Sequence, residues 1–390
     1  MTTTYQLITI GISHTLKDTI IESFFQRVEE LGIPTELISI INGENFNQYK
    51  PNAPSVCLYF GEPQVKQFPD LVILEQLQAN AVFTIPIVPD LKNFSNSIPE
   101  SLRPINGTAL NNLTQVDAIV NSILEGLSLL RESRRLFISY RRIESRTMAI
   151  QLYEHLDACG FDVFLDTHSI RPGEPFQEEL WHRLVDTDVV VLLNTPGFME
   201  SRWTAEELAK ASAMSIGVVQ VIYPEHEPEK MAALCFPFYL DDKHFAGGNS
   251  RNPDGFFTVG ALKEIAKQVE VVRARSLAAR QDNIIREFTS TAQKLNVAVQ
   301  LHPQKFMTLR NSNGKEVAVI PTVGIPHGFT YNQTAELIKL IRESEAAEAL
   351  ILYDHRNIRE KWLNHLIWLD LYLPVKSVKI TEIEEWMTKL

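Results

Sequence analysis

The chain has 390 residues, of which 45% are apolar and 22% charged, a composition of ordinary globular protein with length for two or three domains. Its net charge of −11 argues against a nucleic acid partner, because an acidic surface repels phosphate backbones. Three cysteines without metal-ligand spacing, no apolar run of the roughly 18 residues that a membrane helix needs, and no basic, apolar leader after the first methionine predict a cytoplasmic protein without metal or membrane partner.

The first third of the sequence alternates short apolar runs with helical periodicity. Residues 17–31 place apolar side chains every three or four positions, which predicts an amphipathic helix, and a second helix is expected near residues 115–131. Gly, Pro and Asn separate four apolar runs that predict buried strands, at residues 7–10, 37–41, 56–60 and 81–88. We therefore expect an α/β domain over residues 1–131.

The middle third repeats this alternation more strongly. Strands are predicted at residues 136–140, 163–165, 189–193 and 218–222, and helices at residues 147–159, 176–184 and 204–214. Strands that alternate with short helices indicate a parallel sheet covered on both faces. A polar helix at residues 262–280 leads onward, so the predicted domain spans residues 134–280.

The last third, residues 281–390, is also predicted to be α/β. Its helices are expected at residues 282–295, 334–341, 358–369 and 381–387, and its strands at residues 297–301, 305–309, 317–320, 349–353 and 378–380. The fold class is thus α/β with three flavodoxin-like parallel-sheet units. No motif in this part carries recognisable chemistry, which leaves sensing or assembly as its expected role.

The first two thirds of the sequence show an internal repeat pattern at an offset of roughly 130 residues. Gly32 and Ile33 precede a strand as Gly160 and Phe161 do, and the apolar run ending at Pro89 matches the run ending at Pro224. Two interpretations are open. The domains are duplicates of one another, or two flavodoxin-like units share this rhythm by their nature.

Five stretches of the middle third resemble the TIR (Toll/interleukin-1 receptor) domain family, in the family's order and spacing. They are LFISY at residues 136–140, GFDVFLD at 160–166, IRPGEPF at 170–176, DVVVLL at 188–193 and SRWTAEEL at 201–208. The resemblance covers about 140 residues. It implies a small flavodoxin-like parallel sheet, and a loop at residues 166–176 that corresponds to the family's BB loop.

The resemblance also implies an activity, because enzymatic TIR domains of the bacterial NAD-cleaving type break the bond between nicotinamide and ribose in NAD+. Their key residue is the glutamate of a W-x-x-x-E helix, which here is similar to Trp203 to Glu207. The products are ADP-ribose or cyclic isomers of it. The family further implies an oligomer assembled through the TIR domain and a role in antiphage defence or signalling. The flanking domains would then hold the TIR unit inactive, sense a trigger ligand or partner protein, or drive assembly.

The chemistry of this reaction fits a single carboxylate. Nicotinamide in NAD+ is already cationic, so it leaves without a general acid, while the ribose develops oxocarbenium character. A carboxylate beside the ribose can stabilise that charge or hold the ribose hydroxyls. NAD+ is therefore expected as substrate, and no cofactor or metal is required.

Further candidate residues lie at the predicted carboxyl edge of the sheet, where ligands bind in open α/β folds. Tyr140, Arg141 and Arg142 follow the first strand, and an arginine there is suited to the NAD+ pyrophosphate. Asp166 ends the second strand, and Trp203 shares a helix face with Glu207. All five are predicted to bind substrate, with Glu207 as the catalytic residue.

Two other functions remain open. The TIR unit is alternatively a non-catalytic scaffold that assembles with other TIR domains through residues 166–176. A nucleotide sensor is the third possibility, with the ligand held by the last domain at the loop of residues 322–332, which contains Gly324, Pro326 and Gly328. The first domain offers only residues 71–75 at the place of W-x-x-x-E, so we expect it to be catalytically silent.

Overall fold

The computed structural model describes residues 5–51, 53–63, 67–127, 129–131, 133–165, 176–198, 211, 214–224, 226–227, 235–248, 255–302, 305–341 and 346–390. The chain divides into two compact units, residues 1–132 and 133–390. The first unit contains one five-stranded sheet and the second contains two. The α/β class predicted from the sequence is confirmed, while the division into three domains remains a proposal.

The first unit is built on a wholly parallel sheet with the strand order β2-β1-β3-β4-β5. Its strands are β1 (Tyr5–Gly11), β2 (Ile38–Ile41), β3 (Ser55–Phe60), β4 (Phe83–Val88) and β5 (Thr108–Ala109). Its helices are α1 (Lys17–Glu30), α2 (Leu71–Ala79), α3 (Phe94–Ser97) and α4 (Val116–Gly126). Nearly every side chain of β1 and β3 is buried, as expected for strands covered by helices on both faces.

The second sheet has the order β10-β9-β8-β6-β7 and is also parallel throughout. Its strands are β6 (Arg135–Ser139), β7 (Asp162–Leu165), β8 (Val189–Asn194), β9 (Gly217–Ile222) and β10 (Cys235–Tyr239). The described helices around it are α5 (Arg142–Ala158) and α6 (Phe176–Val185). Helix α7 (Val259–Lys294) covers β8 and β9.

The first two sheets share one topology. In both, the second strand in the sequence lies at one edge, next to the first strand, and the third, fourth and fifth strands follow in order on the other side of the first. Strands β3 and β4 begin at Ser55 and Phe83, and their counterparts β8 and β9 begin at Val189 and Gly217, each 134 residues later. The third and fourth strands are thus equally spaced in the two sheets. This regularity supports duplication over a shared rhythm.

The third sheet is mixed, which corrects the expectation of a wholly parallel unit. Its order is β11-β12-β13-β14-β15, and both pairings of β12 are antiparallel while β13, β14 and β15 run parallel. The strands are β11 (Val299–Leu301), β12 (Met307–Arg310), β13 (Glu316–Thr322), β14 (Ala346–Tyr353) and β15 (Lys376–Lys379). Short connections allow only hairpins between the first three strands, whereas α8 (Gly328–Ile341) and α9 (Glu360–Tyr372) provide crossovers for the rest. Helix α10 (Ile383–Thr388) ends the fold.

Helix α7 is a single element where the sequence suggested two. It runs 36 residues, about 54 Å, and the predicted boundary between residues 280 and 281 falls inside it. Its first half packs in the core of the second sheet through Ile265 and Val269, and its second half packs in the core of the third sheet through Ile285 and Phe288. No Gly or Pro interrupts it after Gly260, so the two sheets of the second unit share one helix.

None of the helices that fall within the described residues combines the length and the apolar character required to traverse a bilayer.

Candidate functional site

The carboxyl edge of the second sheet has one position that favours a ligand site. Strands β6 and β8 are neighbours, and the chain leaves them in opposite directions, toward β7 on one side and toward β9 on the other. Such a topological switch point opens a crevice between the two following loops. The loop after β6 carries Tyr140, Arg141 and Arg142, and the loop after β8 runs from Thr195 to Phe198.

Three residues connect these two loops. Arg141 Nη1 donates to Glu144 Oε1 at 2.8 Å, and Gly197 N donates to Glu144 Oε2 at 3.2 Å. A Cβ atom at position 197 would overlap the guanidinium of Arg141. A larger residue there would make the side-chain ends of Arg141 and Glu144 shift, so glycine permits their close approach to the backbone, and Glu144 bonds to both partners across the switch point.

The first turn of α5 presents this carboxylate. Arg141 precedes the helix with extended backbone (φ −91°, ψ 115°), and its carbonyl accepts from Glu144 N and Ser145 N at 3.1 and 3.0 Å. Ser145 departs from helical geometry (φ −145°, ψ 22°) and its side chain is buried. In this first turn, both carboxylate oxygens of Glu144 accept hydrogen bonds, one from Arg141 and one from Gly197.

The predicted binding residues after β6 differ in environment. Tyr140 is 4% exposed and belongs to the core cluster of this sheet. Arg141 is partly buried and paired with Glu144. Arg142 is exposed at the start of α5. Of the two arginines, Arg142 therefore has the surface position that suits a phosphate ligand, while Arg141 is engaged in the loop contact.

Further polar contacts involve Asn194, the last residue of β8. Asn194 is buried, its Nδ2 donates to the carbonyl of Glu227 at 3.1 Å, and its Oδ1 lies 3.1 Å from His226 Nε2. These bonds join β8 to the chain that follows β9. Thr195 is 1% exposed, and within the described part of the chain its hydroxyl has no hydrogen-bond partner.

The remaining predicted site residues, Glu207, Trp203 and Asp166, lie outside the described residues, as does the loop of residues 166–175. In the sequence, the segment that carries Trp203 and Glu207 follows shortly after Phe198, which ends the loop that contains Gly197. Their roles therefore stay predictions.

Sequence reasoning did not single out Glu144 or Gly197. A signal existed, because Glu144 follows Arg141 by three residues at a helix start, the spacing at which opposite charges pair. The contact with Gly197 joins residues 53 positions apart, and no local pattern indicates such a pairing.

The opposite, amino edge of the sheet is bonded to α7 and to the third sheet. Arg273 Nε donates to Asp188 Oδ2 at 2.9 Å with both side chains fully buried. Arg280 donates to the carbonyls of Thr187 and Val185, both at 2.7 Å. Ile325 N, in the loop after β13, donates to Asp186 Oδ1 at 3.1 Å.

The loop considered for a nucleotide sensor is thus partly occupied in this contact. Val323 and Gly324 line a cleft between the third sheet, α7 and the residues before β9, with a volume of about 100 Å³. Ligand sites for molecules of drug size typically have several hundred Å³. The cleft is too small for a nucleotide in this conformation.

Metal chemistry has no obvious site in the part of the chain that the structure describes, where no group of three or more His, Cys, Asp or Glu side chains is arranged as ligands.

Comparisons with known proteins relate the region that contains this sheet to a known family. Residues 136–246 match the family model of the TIR domain. A stretch of 94 residues is 31% identical to a protein from Brachypodium distachyon named as a probable 2′ cyclic ADP-D-ribose synthase, BdTIR. This match covers 24% of the present chain and 42% of that relative, so the two proteins correspond over less than half of either length. The region of residues 136–246, built on the second sheet, is therefore a TIR domain.

Proposed function

We propose that the TIR domain cleaves the bond between nicotinamide and ribose in NAD+, with Glu207 as the catalytic residue. The observation that carries this proposal is the contact between the two loops at the switch point. The loops after β6 and β8 are held together by Arg141, Glu144 and Gly197, and the chain continues from this loop into the W-x-x-x-E segment. A crevice at this edge is where an open α/β sheet binds its ligand.

The reaction requires little from the protein beyond position and charge. The C1′–N bond breaks with both electrons passing to the nicotinamide ring, which leaves neutral, and positive charge develops on the ribose. The Glu207 carboxylate stabilises that charge. Attack on C1′ by water, which loses a proton, gives ADP-ribose. Attack by a hydroxyl within the ADP-ribose gives a cyclic isomer, and the similarity to a plant protein named as a cyclic ADP-ribose synthase supports testing for that product.

The other site residues divide between binding and positioning. Exposed Arg142 is suited to the pyrophosphate, to which a guanidinium can donate in bidentate fashion. Arg141 is a positioning residue in this proposal, because its guanidinium contacts Glu144 and Gly197. Trp203 and Asp166 are proposed to make the remaining substrate contacts. NAD+ is the substrate, and no cofactor takes part.

The first unit is proposed to be catalytically silent. The shared offset of 134 residues aligns Glu207 with Ile73, and Trp203 with Pro69. Ile73 packs against the core of the first sheet, and an isoleucine offers no charge to an oxocarbenium ion. Neither residues 69–73 nor residues 71–75 have the W-x-x-x-E pattern, so both support a catalytically silent first unit.

The physiological setting is proposed from the family alone. It is a cytoplasmic response in bacterial antiphage defence or signalling, in which assembly through the TIR domain completes the site and the flanking parts respond to a trigger ligand or partner protein. The alternative is a scaffold that binds other TIR domains without turnover.

Product analysis of NAD+ incubated with the purified full chain tests the activity. Nicotinamide released together with ADP-ribose or a cyclic isomer supports the enzyme and identifies its product. Absence of nicotinamide release at every protein concentration, with self-association of the TIR domain intact, would favour the scaffold.

A further inference from the structure

Helix α9 in the third sheet's layer is apolar on two sides. Leu366 and Leu369 are buried in the core beneath it. Its outward side exposes four large apolar side chains, Ile367 at 51%, Trp368 at 52% and Leu371 and Tyr372 both at 71%. A surface helix of a monomeric protein normally presents polar residues there. We refer to these four side chains, together with Trp362, as the α9 face.

Aromatic rings contact one another in a row along this helix, edge-on between Trp362 and His365, stacked between His365 and Trp368, and tilted between Trp368 and Tyr372. Ring centroids lie 6.0 Å apart from Trp362 to His365, 5.8 Å from His365 to Trp368 and 5.2 Å from Trp368 to Tyr372. These ring contacts restrict the side chains before any partner arrives, so their ordering costs little on binding. Tryptophan and tyrosine in such positions are typical of the residues that dominate interface energies.

The α9 face is also fixed to the TIR domain. Trp362 stacks on His182 of α6 with centroids 5.5 Å apart. Arg359, just before α9, forms an ion pair with Glu179 of α6, and both side chains are largely buried. A partner that binds the α9 face therefore acquires a defined orientation relative to the TIR domain.

We propose that the α9 face is the contact surface for a second copy of this chain, with the two α9 helices packed antiparallel. Two observations support a self-complementary contact. The exposed positions of the helix are 360, 361, 362, 364, 365, 367, 368, 371 and 372, and their two charged residues, Glu360 and Lys361, both lie in the first turn. In an antiparallel pair the first turn of each helix lies beside the last turn of the other, so the charges of the two copies stay apart and the apolar side chains meet.

The available area agrees with a dimer of moderate strength. From the exposed fractions, the α9 face offers on the order of 500 Å² per copy, or roughly 1,000 Å² for a pair, which reaches the lower bound of a specific interface. A membrane surface is the less favoured occupant, since a chain with a net charge of −11 is repelled by anionic lipid. The proposal is independent of the proposed activity and of contacts made by the TIR domain itself.

Sedimentation velocity of the full chain from about 1 to about 100 µM tests the proposal. We expect a reversible dimer in the wild type, and a rise of at least about tenfold in its dissociation constant in Leu371→Glu. Val259→Glu is the matched control, because Val259 is 66% exposed at the start of α7 and should leave the dimer unchanged. Both positions are on the surface, so unfolding by circular dichroism should be equal in the two variants.

Cross-linking tests the orientation. In a Cys159→Ser background, a mixture of Lys361→Cys and Tyr372→Cys chains should form a mixed disulfide dimer under mild oxidation, because antiparallel helices bring these positions together. A wild type that stays monomeric to about 100 µM, a dimer indifferent to Leu371→Glu, or a monomer whose α9 face instead drives binding to phosphatidylcholine vesicles would each overturn the proposal.

Discussion

The guanidinium of Arg141 lies against the backbone of Gly197, and the carboxylate of Glu144 bonds to both residues. This contact joins the loops that follow two adjacent strands of the TIR sheet at the point where the chain's direction of winding reverses. The described part of the site is thus organised around a glycine and an ion pair, and the residues proposed for chemistry follow in the next segment.

Gly197→Ala is expected to lower NAD+ turnover by about threefold, because the new methyl group displaces the side-chain ends of Arg141 and Glu144 and loosens the loop contact. In an Arg141→Ala background the same substitution should cost less, since only the clash with Glu144 remains. Steady-state kinetics of the two single variants and the double variant measure this coupling. Gly260→Ala, with no close neighbour in the first turn of α7, is the control. Strictly additive losses would contradict the contact.

Arg142→Ala should raise KM about tenfold with little change in kcat, because an exposed arginine at this edge is expected to bind the pyrophosphate equally in the ground and transition states. Arg141→Ala should lower kcat instead, because it disturbs the position of the loop. Kinetics at two ionic strengths provide the check, as the contribution of Arg142 weakens with salt. Equal effects of both substitutions on KM would contradict the division of roles.

Breaking the buried pair of Asp188 and Arg273 should destabilise the second unit. Asp188→Ala leaves a guanidinium buried without its carboxylate, which typically costs about 3–5 kcal/mol. The double variant Asp188→Leu with Arg273→Met removes both charges and should recover most of the loss. Urea unfolding followed by circular dichroism measures both. A double variant no more stable than the single one would show that the pair itself supplies the stability.

His182 should make the contact between α6 and α9 sensitive to acid. Burial lowers the pKa of His182 to about 4, below the value of about 6.5 in an unfolded chain. Between these values the unfolded chain binds a proton that the folded chain does not. Stability is therefore full above about pH 6.5 and falls as the pH drops toward 4. His182→Phe keeps the stack on Trp362 and should flatten the decline in Tm over this range relative to the wild type. Parallel profiles would contradict the assignment.

The sequence predicts the order and class of most elements because buried parallel strands read as continuous apolar runs, as in β8. It misses β10, since Pro237 lies within the run and a proline is tolerated there only because the strand is at the sheet edge. The sequence predicts two helices, at residues 262–280 and 282–295, where the structure has the single helix α7. The burial of Arg273 and Arg280 in this helix depends on partners that are distant in the sequence.

The candidate site, like the fold, is predictable from the sequence only in part. Motif residues such as Trp203 and Glu207 were proposed by family spacing, and Arg141 and Arg142 by their place after a strand. Glu144 could not be weighed without the fold, since its second oxygen meets Gly197 through a tertiary contact. The burial of Tyr140 is likewise set by packing of α5 on the sheet and is invisible in the local sequence.

The most direct test of the proposed activity compares NAD+ consumption by Glu207→Gln with that of Glu206→Gln, its neighbour, in the full chain at high protein concentration. The account predicts that Glu207→Gln loses essentially all nicotinamide release with an unchanged Tm, while Glu206→Gln keeps activity close to wild type. Complete loss would also show that the first unit contributes no turnover. Substantial activity remaining in Glu207→Gln would contradict the account and transfer the chemistry to another residue.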